Sequence, residues 1–136
     1  MDQSIPLVVA VINSTTDIVD MLRIWLGQAG FVVVSALTPE IREGVVDIER
    51  FIQQHDPRVV VYDIAPPYDA NWQLFQHVAA MPAFQGRQFV LTTTNARHVE
   101  TIAAPQQHVY EIVGRPQDLE RIVGAVKEAS KIRPSR

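Results

Sequence analysis

Two spacings of apolar residues alternate along this chain, and their alternation outlines a fold. Residues 7–12 form an unbroken apolar run, too short for a helix and long enough for a strand covered on both faces. After a polar turn at 13–16 the spacing becomes helical: Ile18, Met21, Leu22, Trp25 and Ala29 fall on one face. Ser14 with Asp17 predicts a capping box for this helix, and Gly30 predicts its C-terminal cap. Residues 31–36 read as the second strand. Pro39 then opens a helix whose face is Ile41, Val45, Ile48 and Ile52, and which Asp56 and Pro57 stop. Residues 58–62 are the third strand, with Val59, Val60 and Val61 consecutive. Trp72, Phe75, Val78 and Ala79 place a third helix that ends near Met81 and Pro82. The fourth strand is 88–92, the fourth helix 96–104 with Pro105 at its end, and the fifth strand 108–113. Pro116 is expected to start the last helix, with Leu119, Ile122, Val123, Val126 and Ala129 on its buried face. Residues 131–136 are polar and expected to fray.

Five strands in strict alternation with five helices predict an α/β fold: a doubly wound parallel sheet with helices on both faces, in three layers. The 136 residues, 47% of them hydrophobic, suit one domain over 1–136, with a core at about 6–129 and a polar tail at 130–136. The chain has no cysteine, which excludes disulfide scaffolds, thiol catalysis and cysteine-based zinc sites. His55, His77, His98 and His108 have no ligand-like spacing. A net charge of −3 gives no general attraction to nucleic acid, and Lys127, Lys131, Arg133 and Arg136 read as a solvated helix end. No apolar run approaches the roughly 20 residues of a membrane span, and the N-terminal residues lack a basic cluster followed by an apolar stretch, so no secretory signal is read there. The expectation is a cytoplasmic protein that binds neither nucleic acid nor membrane.

In open sheets of this kind, ligand chemistry gathers at the carboxyl ends of the strands. Asn13 and Ser14 follow strand 1; Asp63 and then Ala65, Pro66 and Pro67 follow strand 3. Thr92, Thr93, Thr94 and Asn95 end strand 4, and Gly114, Arg115 and Pro116 follow strand 5. One carboxylate facing a hydroxyl and a guanidinium is a site for an acyl phosphate, with the carboxylate as nucleophile and the other two groups holding phosphoryl oxygens. The same residues also have plainer readings. Ser14, Thr15 and Thr16 read as a helix cap or an anion-binding turn. Arg115 reads as a solvent-facing residue or as a salt-bridge partner of Asp63, and Trp72 as a core anchor in phase with Phe75 and Val78.

Over roughly residues 6–129 the chain resembles the receiver domains of response regulators. Asp63 matches the phosphoacceptor at the end of an apolar third strand, and Pro67 matches the proline that follows it. Thr93, 30 residues past Asp63, matches the switch hydroxyl, with Thr92 as the alternative if the strand slips by one. Arg115 stands where the family has a lysine, followed by the matching Pro116. The resemblance implies a flavodoxin-like sheet of order 2-1-3-4-5 and a non-enzymatic phosphoprotein in a two-component phosphorelay. It also implies a histidine kinase or phosphotransfer protein as donor and a downstream protein target. A homodimer through the helix 4–strand 5–helix 5 face would follow the family's habit. The departures are specific. Asn13 and Ser14 replace the acid pair that would hold Mg²⁺, so Mg²⁺ binding, with Asp63 as its one carboxylate, is weakened. Ile112 stands at the aromatic switch position, with Tyr110 two residues earlier, and the segment 38–56 is longer than usual.

Two other functions stay open. One is a pseudo-receiver, an interaction module that no longer uses phosphate, for which the missing acids speak. The other is a flavodoxin-like cofactor binder, in which the hydroxyl-rich turn after strand 1 cradles a phosphate and Tyr68 stacks on a ring. Residues 13–26 contain no glycine for the close approach such a turn needs.

Overall fold

Unbroken apolar runs become the interior of the sheet. In the computed structural model, which describes residues 6–103 and 109–132, five parallel strands lie in the order β2-β1-β3-β4-β5. They are β1 (Val8–Asn13), β2 (Val32–Leu37), β3 (Val59–Ile64), β4 (Gln88–Thr93) and β5 (Val109–Val113). Every residue of β3 and β4 is buried, as befits central strands covered on both faces, while β2 and β5 form the more exposed edges. The expected five helices are six: α1 (Thr16–Gln28), α2 (Thr38–Arg42), α3 (Ile48–His55), α4 (Tyr68–Ala79), α5 (Ala96–Ile102) and α6 (Leu119–Ala129), with a 3₁₀ turn at Pro82–Phe84. The strands alternate their side chains between two apolar layers. Val9, Val11, Val59, Val61 and Val90 pack with α1 and α6, whereas Ala10, Ile12, Val60, Tyr62, Phe89 and Leu91 pack with α3, α4 and α5. None of the described helices is long and apolar enough to cross a membrane.

The departures from expectation are local and have physical causes. The single helix expected after Pro39 is two, because Gly44 turns the chain with φ 78° and Asp47 caps a new helix by accepting the Arg50 amide. Val45, expected on the buried face, is 70% exposed in that turn. In α1 the buried stripe is Val19, Leu22 and Leu26, so Met21 and Trp25 face outward. Of the expected stripe, Leu22 is in the core and Ile18 and Ala29 pack against it, while Met21 and Trp25 lie to one side. Nor does Ser14 cap α1: Thr15 is the N-cap residue and makes no side-chain cap bond. Gly30 does close the helix, with φ 97°, the Gly30 amide on the Gly27 carbonyl and the Phe31 amide on the Leu26 carbonyl. The last helix begins at Leu119 rather than at Pro116, because Asp118 caps it through the Arg121 amide. Its five expected core residues are all buried. Ser130, expected in the tail, is buried, and its carbonyl accepts a hydrogen bond from Arg58 at 2.9 Å. Ala104, Pro105, His108, Arg133 and Arg136, which entered the expectations, lie outside the described residues.

Candidate functional site

Asp63 and Thr92 are register partners on the adjacent strands β3 and β4, so their side chains leave the sheet on the same face. Both are buried, and Thr92 Oγ1 donates to Asp63 Oδ1 at 2.6 Å. Burial raises the Asp63 carboxyl above the usual carboxylate range, because the charged form is poorly solvated there. The Thr92 hydroxyl opposes that rise, and no cation takes part. Thr93 is one residue out of phase. It pairs in register with Ile64, donates to the Ile64 carbonyl at 2.8 Å and accepts from the Asn95 amide at 3.3 Å. Thus the hydroxyl beside the carboxylate belongs to Thr92, and Thr93, which the spacing favoured, ties the two strand ends together. Alternation along β4 decides between them, and a count of residues from Asp63 does not contain that information.

Neither Asn13, Ser14 nor Arg115 makes a hydrogen bond or ion pair with Asp63. Asn13 is buried, and its Oδ1 accepts from the Thr15 amide at 2.9 Å. Ser14 is exposed. Arg115 is exposed and makes no salt bridge to Asp63, which removes the ion-pair reading of these two residues.

Two clusters escaped the sequence reading. In the first, Arg42 at the end of α2 donates to Asn71 Oδ1 on α4, and Asn71 Nδ2 donates to the Ala65 carbonyl at 2.7 Å. The loop after Asp63 is therefore held from above by an element that is remote in sequence. Arg42 also lies near Tyr62; burial pushes the Tyr62 phenol well above its usual range, and the Arg42 charge opposes this. The unusual length of the 38–56 segment was the one sequence signal for this arrangement. In the second cluster, the Tyr68 hydroxyl meets Thr94 Oγ1 at 2.6 Å and His98 Nε2 meets Asp69 Oδ1 at 2.9 Å. The Tyr68 and His98 rings lie 5.5 Å apart, tilted by 54°. Tyr68 is thus engaged at its hydroxyl by Thr94 and along its ring by His98. Trp72 is 4% exposed and packs on Phe75, as a core anchor does.

A Mg²⁺ ion is held by one or two carboxylates with water and phosphate oxygens. Asp63 Oδ1 already accepts the Thr92 hydroxyl, and Asn13 Oδ1 is occupied by the Thr15 amide. The described residues contain no group of three His, Asp or Glu side chains able to hold a metal. Asp63 is thus the one carboxylate at these strand ends, at the low end of what the ion needs, and Asn13 adds only a neutral oxygen.

No protein-family model matches the sequence, nor does any curated protein. Solved structures do match. A response regulator from Thermotoga maritima is 13% identical with a TM-score of 0.71, over 94% of this chain and 100% of the other. A CheY-like response regulator receiver domain protein from Methanospirillum hungatei JF-1 is 16% identical with a TM-score of 0.72, over 93% and 95%. A sensor protein from Polaromonas sp. JS666 is 16% identical with a TM-score of 0.72, over 92% and 96%. The strand order, the two helical layers and these superpositions agree: the chain has the flavodoxin-like, CheY-like fold of response-regulator receiver domains.

Proposed function

We propose that this chain is a receiver-type signalling module that works through protein–protein contacts, without metal-assisted phosphorylation of Asp63. One observation carries the reading: Asp63 stands at the receiver position with a buried carboxyl bonded to Thr92, but Asn13 and Ser14, neither of them an acid, follow β1 beside it. Metal-free transfer to this carboxyl is disfavoured, since burial favours its protonated form, which is the poorer nucleophile. The receiver fold supports a place in two-component signalling, with a kinase, a phosphotransfer protein or a downstream target as partner. The test is incubation with acetyl phosphate and Mg²⁺ followed by intact-mass measurement. The expected result is no added phosphoryl group. Addition that Asp63→Asn abolishes would overturn the proposal and restore the phosphoacceptor reading, which the 2.6 Å Asp63–Thr92 pairing favours as the alternative.

A further inference from the structure

The sheet has two edges, and they are built differently. β5 carries an acid, Glu111, paired to Arg121 at 2.8 Å, and its register with β4 shifts between Phe89 and Val90. Charge and a broken register both keep an edge strand from pairing with another chain. β2 has neither. Val32–Leu37 holds no charged residue and no proline, and all six of its residues stay in register with β1. Such an edge is a template for a further strand. Successive residues of a strand direct their N–H and C=O groups to opposite sides. The Val32 amide bonds to the Leu7 carbonyl at 3.0 Å, so Val32, Val34 and Ala36 serve β1, while Val33, Ser35 and Leu37 direct their backbone groups outward. Arg23 on α1 reaches over this edge: its Nη1 donates to the Val33 carbonyl at 3.0 Å and its Nη2 to the Ser35 hydroxyl at 2.7 Å. Among the described residues no other side chain bonds to β2.

We infer that the β2 edge is a pairing surface for a second copy of this chain, held shut by Arg23. The occupant follows from the groups the edge presents. In an antiparallel pair about a two-fold axis at Val34, the outward Val33 of each copy lies opposite Ser35 of the other, and each such pair exchanges backbone hydrogen bonds in both directions. The edge is therefore complementary to itself. Arg23 occupies the Val33 carbonyl that one of these bonds needs, and its side chain lies where the second strand would run. Arg23 is exposed, and hydrogen bonds at the surface gain little over those to water, so the side chain can leave the edge at small cost. The pair closes at two copies, because each copy has one β2 edge and the two-fold axis uses both. The inference does not depend on how Asp63 is read.

Sedimentation of the full chain tests it, with Arg23→Ala as the variant that opens the edge. Alanine suits an exposed helical position, so the variant should fold. It should dimerise at least about tenfold more tightly than the wild type. Amide hydrogen exchange then locates the contact: raising the concentration of Arg23→Ala should slow exchange at Val33 and Ser35 several-fold. Adding Ser35→Pro to Arg23→Ala removes an outward amide at a place where an edge strand tolerates proline, and should return association to the wild-type level. Arg23→Ala that associates no more tightly than wild type would overturn the inference. So would tighter association that leaves the Val33 and Ser35 amides unprotected, since another face would then be responsible, and so would growth beyond a dimer. A variant that stays monomeric but takes up an added peptide of the 32–37 sequence would assign the edge to a separate strand, and would overturn the pairing of two copies.

Discussion

Asp63 places a carboxyl where its charge is disfavoured. Its pKa in the folded chain is raised above the ordinary 3.8 by burial. The stability it contributes is therefore fully present below that ordinary value and is lost as pH rises through the raised folded value. At neutral pH the group is a liability. Asp63→Asn keeps the shape and removes the charge, so it should stabilise the protein at pH 7 by on the order of 1 kcal/mol. The gap from wild type should close as pH falls toward 3.8, as read by urea denaturation at several pH values; a pH-independent gap would contradict the burial argument. The two threonines separate cleanly. Thr92→Val removes the hydroxyl that holds the Asp63 pKa down, so carboxyl titration followed by NMR should move further up. Thr93→Val should cost about 1 kcal/mol through the lost bond to Ile64 and leave that titration where it was. Asp63 was legible in the sequence because it ends a run of β-branched residues ahead of two prolines. The choice of Thr92 was not, because it depends on strand register. Arg42 and Asn71 were not either, because their helices, one before β3 in the chain and one after it, meet only in the fold, and neither residue carries a local pattern.

Helix ends and helix faces separate what local spacing can and cannot say. The spacing of apolar residues located every strand, because a short β-branched run has few alternatives. It located α6 by its stripe but misplaced its start, because Asp118 outcompetes Pro116 as the signal for a first turn. In α1 two adjacent stripes are nearly equally apolar, and only packing against β1 and β2 selects the one through Leu26 over the one through Trp25. Substitutions should expose the difference. Leu26→Ala, at a fully buried position, should cost about 3 kcal/mol, whereas Trp25→Gln should stay within about 1 kcal/mol. Capping gives a second contrast. Asp47→Ala removes the bond to the Arg50 amide and should cost about 1 kcal/mol, while Ser14→Ala, which removes no cap, should change stability by less than about 0.5 kcal/mol. Thermal denaturation of the four variants checks both contrasts; equal losses at Trp25 and Leu26 would mean that α1 is rotated from the arrangement described.

The two apolar layers share every strand between them, and this binds the molecule into one unit. Val9 and Val11 face α1 and α6, while Ala10 and Ile12, on the same strand, face the opposite layer; Val61 and Tyr62 divide in the same way on β3. Losing one layer would expose one whole face of the strands that the other layer needs, so neither has a core of its own. β3 is buried along its full length and belongs to each layer. The consequence is measurable because the chain has two tryptophans in different settings, Trp25 at 43% exposure on α1 and Trp72 at 4% on α4. In a Trp25→Phe background the fluorescence reports the Trp72 layer alone. Ile122→Ala, in the α6 layer, should cost about 2–5 kcal/mol, a large part of the roughly 5–15 kcal/mol typical of a domain. Although Ile122 and Trp72 lie on opposite faces of the sheet, the urea midpoint seen by Trp72 should fall by the same amount as that seen by far-ultraviolet circular dichroism. A Trp72 transition that held its midpoint while the circular dichroism midpoint fell would show that the layers unfold separately, and would mean that the shared strands do not couple them.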